Sequence, residues 1–263
     1  MFANQRREKI CEIVNEKGNV SVDALTELFQ VSAETVRRDL IVLEVHGNLK
    51  RVHGGAVSTK GFKRYGSLEK RLDINKQKKH ELAVTAIQLL QNDDIISIDS
   101  GSTCIEFVDV IKQKFDRMTI LTNSLDVVEQ LGNKEGFKIY LTGGIYMPNE
   151  NAFYGDTAVK VIKSFCIPKA FIFPSGVSVE NGVSEYNSFL SAVQKAYIEA
   201  AEEVIVMADS SKIGHNAFIK NSDITEDFII VTDSDADKEV LRTFTDNEIT
   251  VLTRVEEGEE NEK

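Results

Sequence analysis

The residues best suited to hold a ligand are glycines and small polar side chains that follow short apolar runs. The run IISID (95–99) leads into Asp99-Ser100-Gly101-Ser102-Thr103. Glycine allows close backbone approach there. Ser102 and Thr103 add hydroxyls at what reads as a helix start, where free amides and the helix dipole favour an anion such as phosphate. A second run ends in Thr122-Asn123-Ser124, a third in Thr142-Gly143-Gly144, and Gly155 opens a further helix. Any one of these turns reads equally well as an N-cap; their recurrence at equivalent strand ends points to one site. Ala208-Asp209-Ser210-Ser211-Lys212 follows another run. A lysine there is either a point charge for phosphate or a surface residue. A second chemistry is concentrated in Ser32, Thr35, Arg37 and Arg38. Arginine's planar fork matches guanine and phosphate in two-point contacts. The competing reading is a solvated pair bonded to Glu34 or Asp39.

Other chemistries find little support. His46, His53, His80 and His215 show no HxxxH or HExxH spacing, so no metal site is expected. Cys11, Cys104 and Cys166 are far apart and odd in number, which fits reduced thiols rather than a disulfide framework or a CxxC pair. There is no GxGxxG fingerprint and no Walker A motif, so nucleotide binding is disfavoured. No cofactor is expected.

The elements that must position these residues fall into two parts of opposite charge. Residues 1–80 hold 16 Lys+Arg and 10 Asp+Glu, a net of +6; residues 81–263 hold 15 and 32, a net of −17. The basic part can approach phosphates and the acidic part repels them; chance clustering of solvated charge is the bland alternative. The acidic remainder argues against a nucleoid-type structural DNA binder. No run of about 18 apolar residues exists, so no membrane span is expected. The start MFANQRREKI lacks the apolar core of a secretory signal, so a cytoplasmic protein is expected.

Residues 3–17 place Ile10, Ile13 and Val14 on one side of a helix that Gly18-Asn19 ends. Ser21 caps a second helix, VDALTELF, with Val22, Leu25, Leu28 and Phe29 apolar. Ser32 caps a third, AETVRRDLIVLEVHG, which Gly47 closes. Two short capped helices with a tight turn between them form a helix-turn-helix. In the third helix Val36, Leu40 and Leu43 face the core, leaving Ser32, Thr35, Arg37 and Arg38 on the turns that reach bases and phosphates. Residues 48–57 then read as two extended pieces around Gly54-Gly55, a hairpin wing whose Lys50, Arg51 and His53 reach the backbone or the minor groove.

From residue 95 on, strands (95–99, 118–122, 138–142, 170–174, 203–207, 228–232, 249–253) alternate with helices (103–114, 124–132, 156–164, 188–201, 236–244). This alternation predicts an α/β architecture with a mainly parallel, buried sheet, whose ligands bind at the carboxyl ends of strands. The expected domains are a winged helix-turn-helix (1–57), a basic linker (58–78), an α/β sensor domain (79–255) and an acidic tail (256–263). The linker runs into a helix with Leu82, Ala83, Ala86, Ile87 and Leu90 apolar. Lys76, Lys78 and Lys79 at its start oppose the helix dipole, which suggests an anionic neighbour, either DNA or effector; an extended tether is the alternative.

The segment VSAETVRRDLIVLEVHGNLKRVHGGA resembles the signature of DeoR-type bacterial regulators without a gap. DSGST, TNS, TGG, FPSGVS and ADSSK, in that order, resemble the family's sensor domain. The resemblance implies a repressor of a carbohydrate-utilisation operon, controlled by a phosphorylated sugar or polyol, and not an enzyme. It also implies a sensor fold similar to ribose-5-phosphate isomerase. Its partners would be double-stranded operator DNA and further copies of the chain in a dimer or tetramer, with no membrane. DNA contacts would come from Ser32, Thr35, Arg37, Arg38, Lys50, Arg51, His53 and Gly54. Phosphate binding carries over to Gly101, Ser102, Thr103 and Lys212, with Asp99, Thr122, Asn123, Ser124, Gly143, Gly144 and Gly176 around them. One departure is Pro168-Lys169, where many relatives place an aspartate. The enzymatic alternative is a sugar-phosphate isomerase with an appended DNA-binding domain. That chemistry needs a carboxylate base. Where the isomerases carry Asp-Gly-Ala-Asp-Glu this chain reads FPSGVSVENGVSE, leaving Glu185 and Asp209 as the obvious acids.

Overall fold

The computed structural model describes residues 3–17, 19–45, 49–52, 55–58 and 67–254. The chain divides into two compact units, 1–66 and 67–263. His53, Gly54, the expected helix end at 46–47 and the acidic tail 256–263 lie outside the described residues.

The first unit holds helix α1 (Ala3–Lys17), strand β1 (Asn19–Ser21), helices α2 (Val22–Phe29) and α3 (Ala33–Val45), and strands β2 (Leu49–Val52) and β3 (Gly55–Ser58). Ser21 caps α2 by accepting from the Ala24 amide at 3.1 Å. Ser32 caps α3 by accepting from the Thr35 amide at 3.2 Å. Gln30, at φ 51°, makes the left-handed turn between the two helices. Ile10, Val14, Val22, Leu25, Val36, Leu40, Leu43, Leu49 and Ala56 form one core, so the three predicted positions on α3 do face inward. Leu28, expected on the apolar side of α2, is instead 60% exposed. β1 was not anticipated. It pairs antiparallel with β3, giving the sheet order β1-β3-β2. A Cβ on Gly55 would come within 2.2 Å of the Val20 carbonyl oxygen, so this close approach requires glycine.

The second unit begins with α4 (Leu68–Leu72) and α5 (Lys76–Ala86). Residues 67–78, expected as the latter half of a linker, are therefore part of this unit. Leu68 is buried, and its amide donates to the Asn149 carbonyl. Seven parallel strands follow: β4 (Ile95–Ile98), β5 (Met118–Thr122), β6 (Phe137–Leu141), β9 (Ile167–Ile172), β12 (Ala201–Met207), β14 (Phe228–Val231) and β15 (Thr250–Leu252). They are ordered β15-β14-β12-β9-β4-β5-β6. The connecting helices are α6 (Ser102–Lys114), α7 (Leu125–Leu131), α8 (Asp156–Ile162), α9 (Ser188–Ala200) and α10 (Lys238–Thr245). The chain runs outward from β4 to β6, then restarts at β9 on the other side of β4. The strand order thus reverses between β4 and β9, which is where open α/β sheets leave a crevice for ligands.

Two smaller sheets escaped the sequence reading. One is the hairpin β7 (Ile145–Met147) with β8 (Ala152–Tyr154); the other is β10 (Gly176–Ser178), β11 (Gly182–Glu185) and β13 (Ile219–Ser222). Their strands have three or four residues each, too short for a period-2 pattern to register. No helix among the described residues is long and apolar enough to cross a membrane.

Candidate functional site

In the first unit the outer face of α3 carries the basic groups. Arg37 and Arg38 are both exposed. Arg38 lies 3.4 Å from Glu34 in an exposed pair, whereas Arg37 has no partner among the described residues. Asp39, one of the two acids considered as a partner, is buried and faces elsewhere. It accepts from Arg6 Nε at 2.6 Å and Arg7 Nε at 2.8 Å, tying α1 to α3. Ser32 and Thr35 hydroxyls lie 2.9 Å apart within the cap, so part of their hydrogen-bonding capacity serves the helix end. On the hairpin, the Arg51 amide donates to Glu44 Oε1 at 2.8 Å, and its guanidinium lies 3.6 Å from Glu44 Oε2. Lys50 lies on β2.

In the second unit, the turns after β4, β5, β9 and β12 come from neighbouring strands. Gly101 begins α6 at φ 148° and supplies no side-chain cap, so the first amides of α6 have no side-chain acceptor at that position. Thr103 Oγ1 is buried without a hydrogen-bond partner among the described residues. Asp99 is fully buried; it accepts from the Ser100 amide at 2.7 Å and from Gln194 Nε2 at 2.9 Å. Burial outweighs those two bonds and pushes its carboxyl up to about 7. Gln194 in turn accepts from Asn221, which accepts from Ser191. Asn123 binds the β4 and β5 ends together, donating to Ser100 Oγ and the Phe153 carbonyl at 3.2 Å each. Ser100 Oγ and Tyr154 OH are 2.7 Å apart. Thr122 Oγ1 donates to the Ile98 carbonyl and accepts from the Ser124 amide, which commits it to the turn itself.

The three other glycines carried over from the resemblance, besides Gly101, sit differently. Gly143, at φ 63°, faces open space. A Cβ on Gly144 would meet the Tyr154 carbonyl oxygen at 2.5 Å, so this glycine lets the loop after β6 lie on β8. Gly176, expected around the ligand, is packed against protein. Its Cβ direction is filled by the His215 carbonyl oxygen (2.6 Å) and the Ala217 amide (2.9 Å), so its role is close backbone packing.

Lys212 lies among charges drawn from three separate stretches of the chain. Asp209, Glu185 and Lys79 are its electrostatic neighbours. Burial alone would raise the Asp209 carboxyl, but Lys212 and hydrogen bonds from Ser211 and Asn75 hold it below the usual value. Lys79 is pushed down to about 8, first by burial and then by the Lys212 charge. Its ammonium donates to the Arg71 carbonyl at 2.5 Å and so caps the end of α4. Lys78 meets Asp235 at 2.8 Å and Asp233 at 3.5 Å, and Lys76 meets Glu106 at 3.8 Å. The anionic neighbour expected for these lysines is thus the protein's own carboxylates and carbonyls. Arg71, expected in the linker, pairs with buried Glu150. Arg71, Glu150, Tyr154, Gln194 and Tyr197 were not singled out from the sequence. They sit on elements whose register the turns alone do not reveal.

An open groove of about 770 Å³ is bounded by Asp73, Lys76, Lys78, His80, Asp235 and Arg254. It adjoins the 209–211 loop through Asn75 and Lys78, which donate to Asp209 and Ser210. The switch-point residues do not line it. Among the described residues, no group of three His, Cys, Asp or Glu side chains could hold a metal ion.

Comparison with known proteins matches both units. Residues 6–61 match the DeoR-like helix-turn-helix domain, and residues 74–234 match the DeoR C terminal sensor domain. The chain is 34% identical to the transcriptional repressor AccR of Agrobacterium fabrum, over 87% of this chain and 89% of that protein. It is 32% identical to the L-fucose operon activator of Haemophilus influenzae, over 88% and 92%. A ribose-5-phosphate isomerase in complex with phospho-erythronic acid aligns with TM-score 0.38 and 16% identity, over 52% of this chain and 53% of that one. At that score the architecture rests on the sheet itself.

Proposed function

We propose, for a chain that belongs to the DeoR family of transcriptional regulators, repression of a carbohydrate-utilisation operon under the control of a phosphorylated sugar or polyol. Family membership makes the protein a DNA-binding regulator with a small-molecule sensor domain rather than an isomerase. The relatives include a repressor and an activator. The observation that carries the effector reading is the start of α6. It lies at the β4–β9 reversal, glycine leaves its amides without a side-chain cap, and buried Thr103 Oγ1 has no partner among the described residues. An anionic phosphate supplies what those groups lack, and Lys212 adds a positive charge nearby.

On this reading Arg37, Arg38 and Arg51 contact DNA, joined by Ser32, Thr35, Lys50, His53 and Gly54. Two or more copies associate through the sensor domains and present α3 to half-sites about 34–36 Å apart. Effector favours an arrangement that no longer matches this spacing. A tenfold loss of DNA affinity needs about 1.4 kcal/mol of coupling, and by linkage DNA weakens effector binding equally. The test is fluorescence anisotropy of the full chain on DNA selected from a random pool, titrated with sugar phosphates and polyol phosphates. Release by a phosphorylated sugar but not by the free sugar is expected. No response to any phosphorylated compound would sink the reading.

A further inference from the structure

The anion reading leaves Glu185 without a use. This residue ends β11 and is fully buried. One carboxylate oxygen is committed: Oε1 accepts from Ser175 Oγ at 2.6 Å and from the Tyr186 amide at 2.7 Å. The other, Oε2, is buried with no hydrogen-bond partner among the described residues. A carboxylate oxygen left unmade in the interior is costly, and such groups persist where function uses them. Its location is informative. Ser175 lies just beyond β9, at the point where the strand order reverses, and Lys212 and Arg71 are electrostatic neighbours of the carboxylate. Glu185 therefore belongs to the strand-end site.

A carboxylate repels phosphate, so this oxygen must serve the other end of any phosphorylated ligand. We infer that Glu185 Oε2 accepts a hydrogen bond from a hydroxyl or amino group on the sugar end of the effector, and so selects sugar phosphates over bare phosphate. The inference rests on the phosphate reading of the 101–103 turn and Lys212. Inorganic phosphate satisfies that turn alone; a ligand with an anionic end and a donor end satisfies both.

Glu185→Gln is the informative variant. Glutamine keeps the shape, and its carbonyl still accepts from Ser175 and Tyr186. Its amide nitrogen replaces Oε2 and turns an acceptor into a donor. Calorimetry on the full chain would use inorganic phosphate, ribose 5-phosphate, glucose 6-phosphate and glucosamine 6-phosphate. The native protein is expected to bind at least one sugar phosphate about tenfold more tightly than inorganic phosphate, and E185Q to lose that advantage. Inorganic phosphate should bind both proteins within about twofold of each other. A larger loss for glucosamine 6-phosphate than for glucose 6-phosphate assigns the donor as an amine; an equal or smaller one assigns a hydroxyl. Retention of the advantage by E185Q overturns the inference and leaves the phosphate reading intact. An equal loss for inorganic phosphate and sugar phosphates overturns it too, by making Glu185 structural. If none of the four binds the native protein, both readings fall. Should E185Q not fold, Ser175→Ala removes one of the bonds that fix Oε1, and a smaller loss of the same kind is expected.

Discussion

The outer face of α3 and the strand ends of the sensor unit both gather polar groups, but they handle them in opposite ways. On α3 the basic groups that face outward make few internal commitments. Arg37 has no partner among the described residues, Arg38 has only an exposed one, and the buried charge, Asp39, is given over to holding α1. At the strand ends the polar groups are buried and bonded to one another, as in Asp99–Gln194–Asn221–Ser191 and Tyr154–Ser100–Asn123. A surface that meets a polyanion can leave its cations in water until contact. A site for a small molecule must keep its dipoles oriented in the ligand's absence, and the low dielectric makes each unmade bond expensive. Thr103 Oγ1 and Glu185 Oε2, which have no partner there among the described residues, are for that reason the informative atoms.

The contrast can be broken most forcefully at Asp39. Asp39→Ala leaves Arg6 and Arg7 without their shared carboxylate and should cost about 3–5 kcal/mol. Calorimetric melting should show the first unit destabilised and the second unchanged; an unaltered first transition would mean that the buried pair holds nothing.

Asp99 offers a pH test of the second region. Its folded carboxyl is raised to about 7, while the unfolded one titrates near about 3.9. Between these values the folded state holds the extra proton, so stability falls as pH rises through the window and levels off above it. The slope is at most about 1.4 kcal/mol per pH unit. Asp99→Asn mimics the protonated form and should flatten the pH dependence of the second unit's denaturant midpoint. An identical pH profile for the variant would refute the assignment.

Two substitutions then sharpen the division of labour. Lys212→Ala should weaken effector binding by about 1.5–3 kcal/mol, the worth of a hydrogen bond to a charged group, with DNA affinity intact. A variant that responds to effector like the native protein would remove Lys212 from the site. Arg37→Ala should weaken DNA binding by about 1–3 kcal/mol and leave effector affinity alone; anisotropy and calorimetry on the same preparation separate the two. The smallest effect belongs to a residue outside both regions. Ser21→Ala removes the cap of α2 and should lower the first unit's stability by about 1 kcal/mol without changing either ligand.

Much of the organisation was legible in the chain itself. Alternating apolar runs located the seven strands of the large sheet to within a few residues, because buried parallel strands are short apolar segments whatever their neighbours. Caps at Ser21 and Ser32 and the spacing of Val36, Leu40 and Leu43 marked the helix-turn-helix, because caps and helical period act within one or two turns. The strand-end turns 99–103, 122–124 and 208–212 were visible for the same local reason. Only the tertiary structure decided which side chains meet there. It brought Arg71 out of an expected linker onto Glu150, packed Gly176 against the 215–217 backbone, gave Lys76, Lys78 and Lys79 internal partners, and left one oxygen of Glu185 without a partner among the described residues. Those outcomes depend on strand order and on pairings between residues as far apart as 71 and 150. No local pattern encodes them, because they form only when the sheet closes the distance.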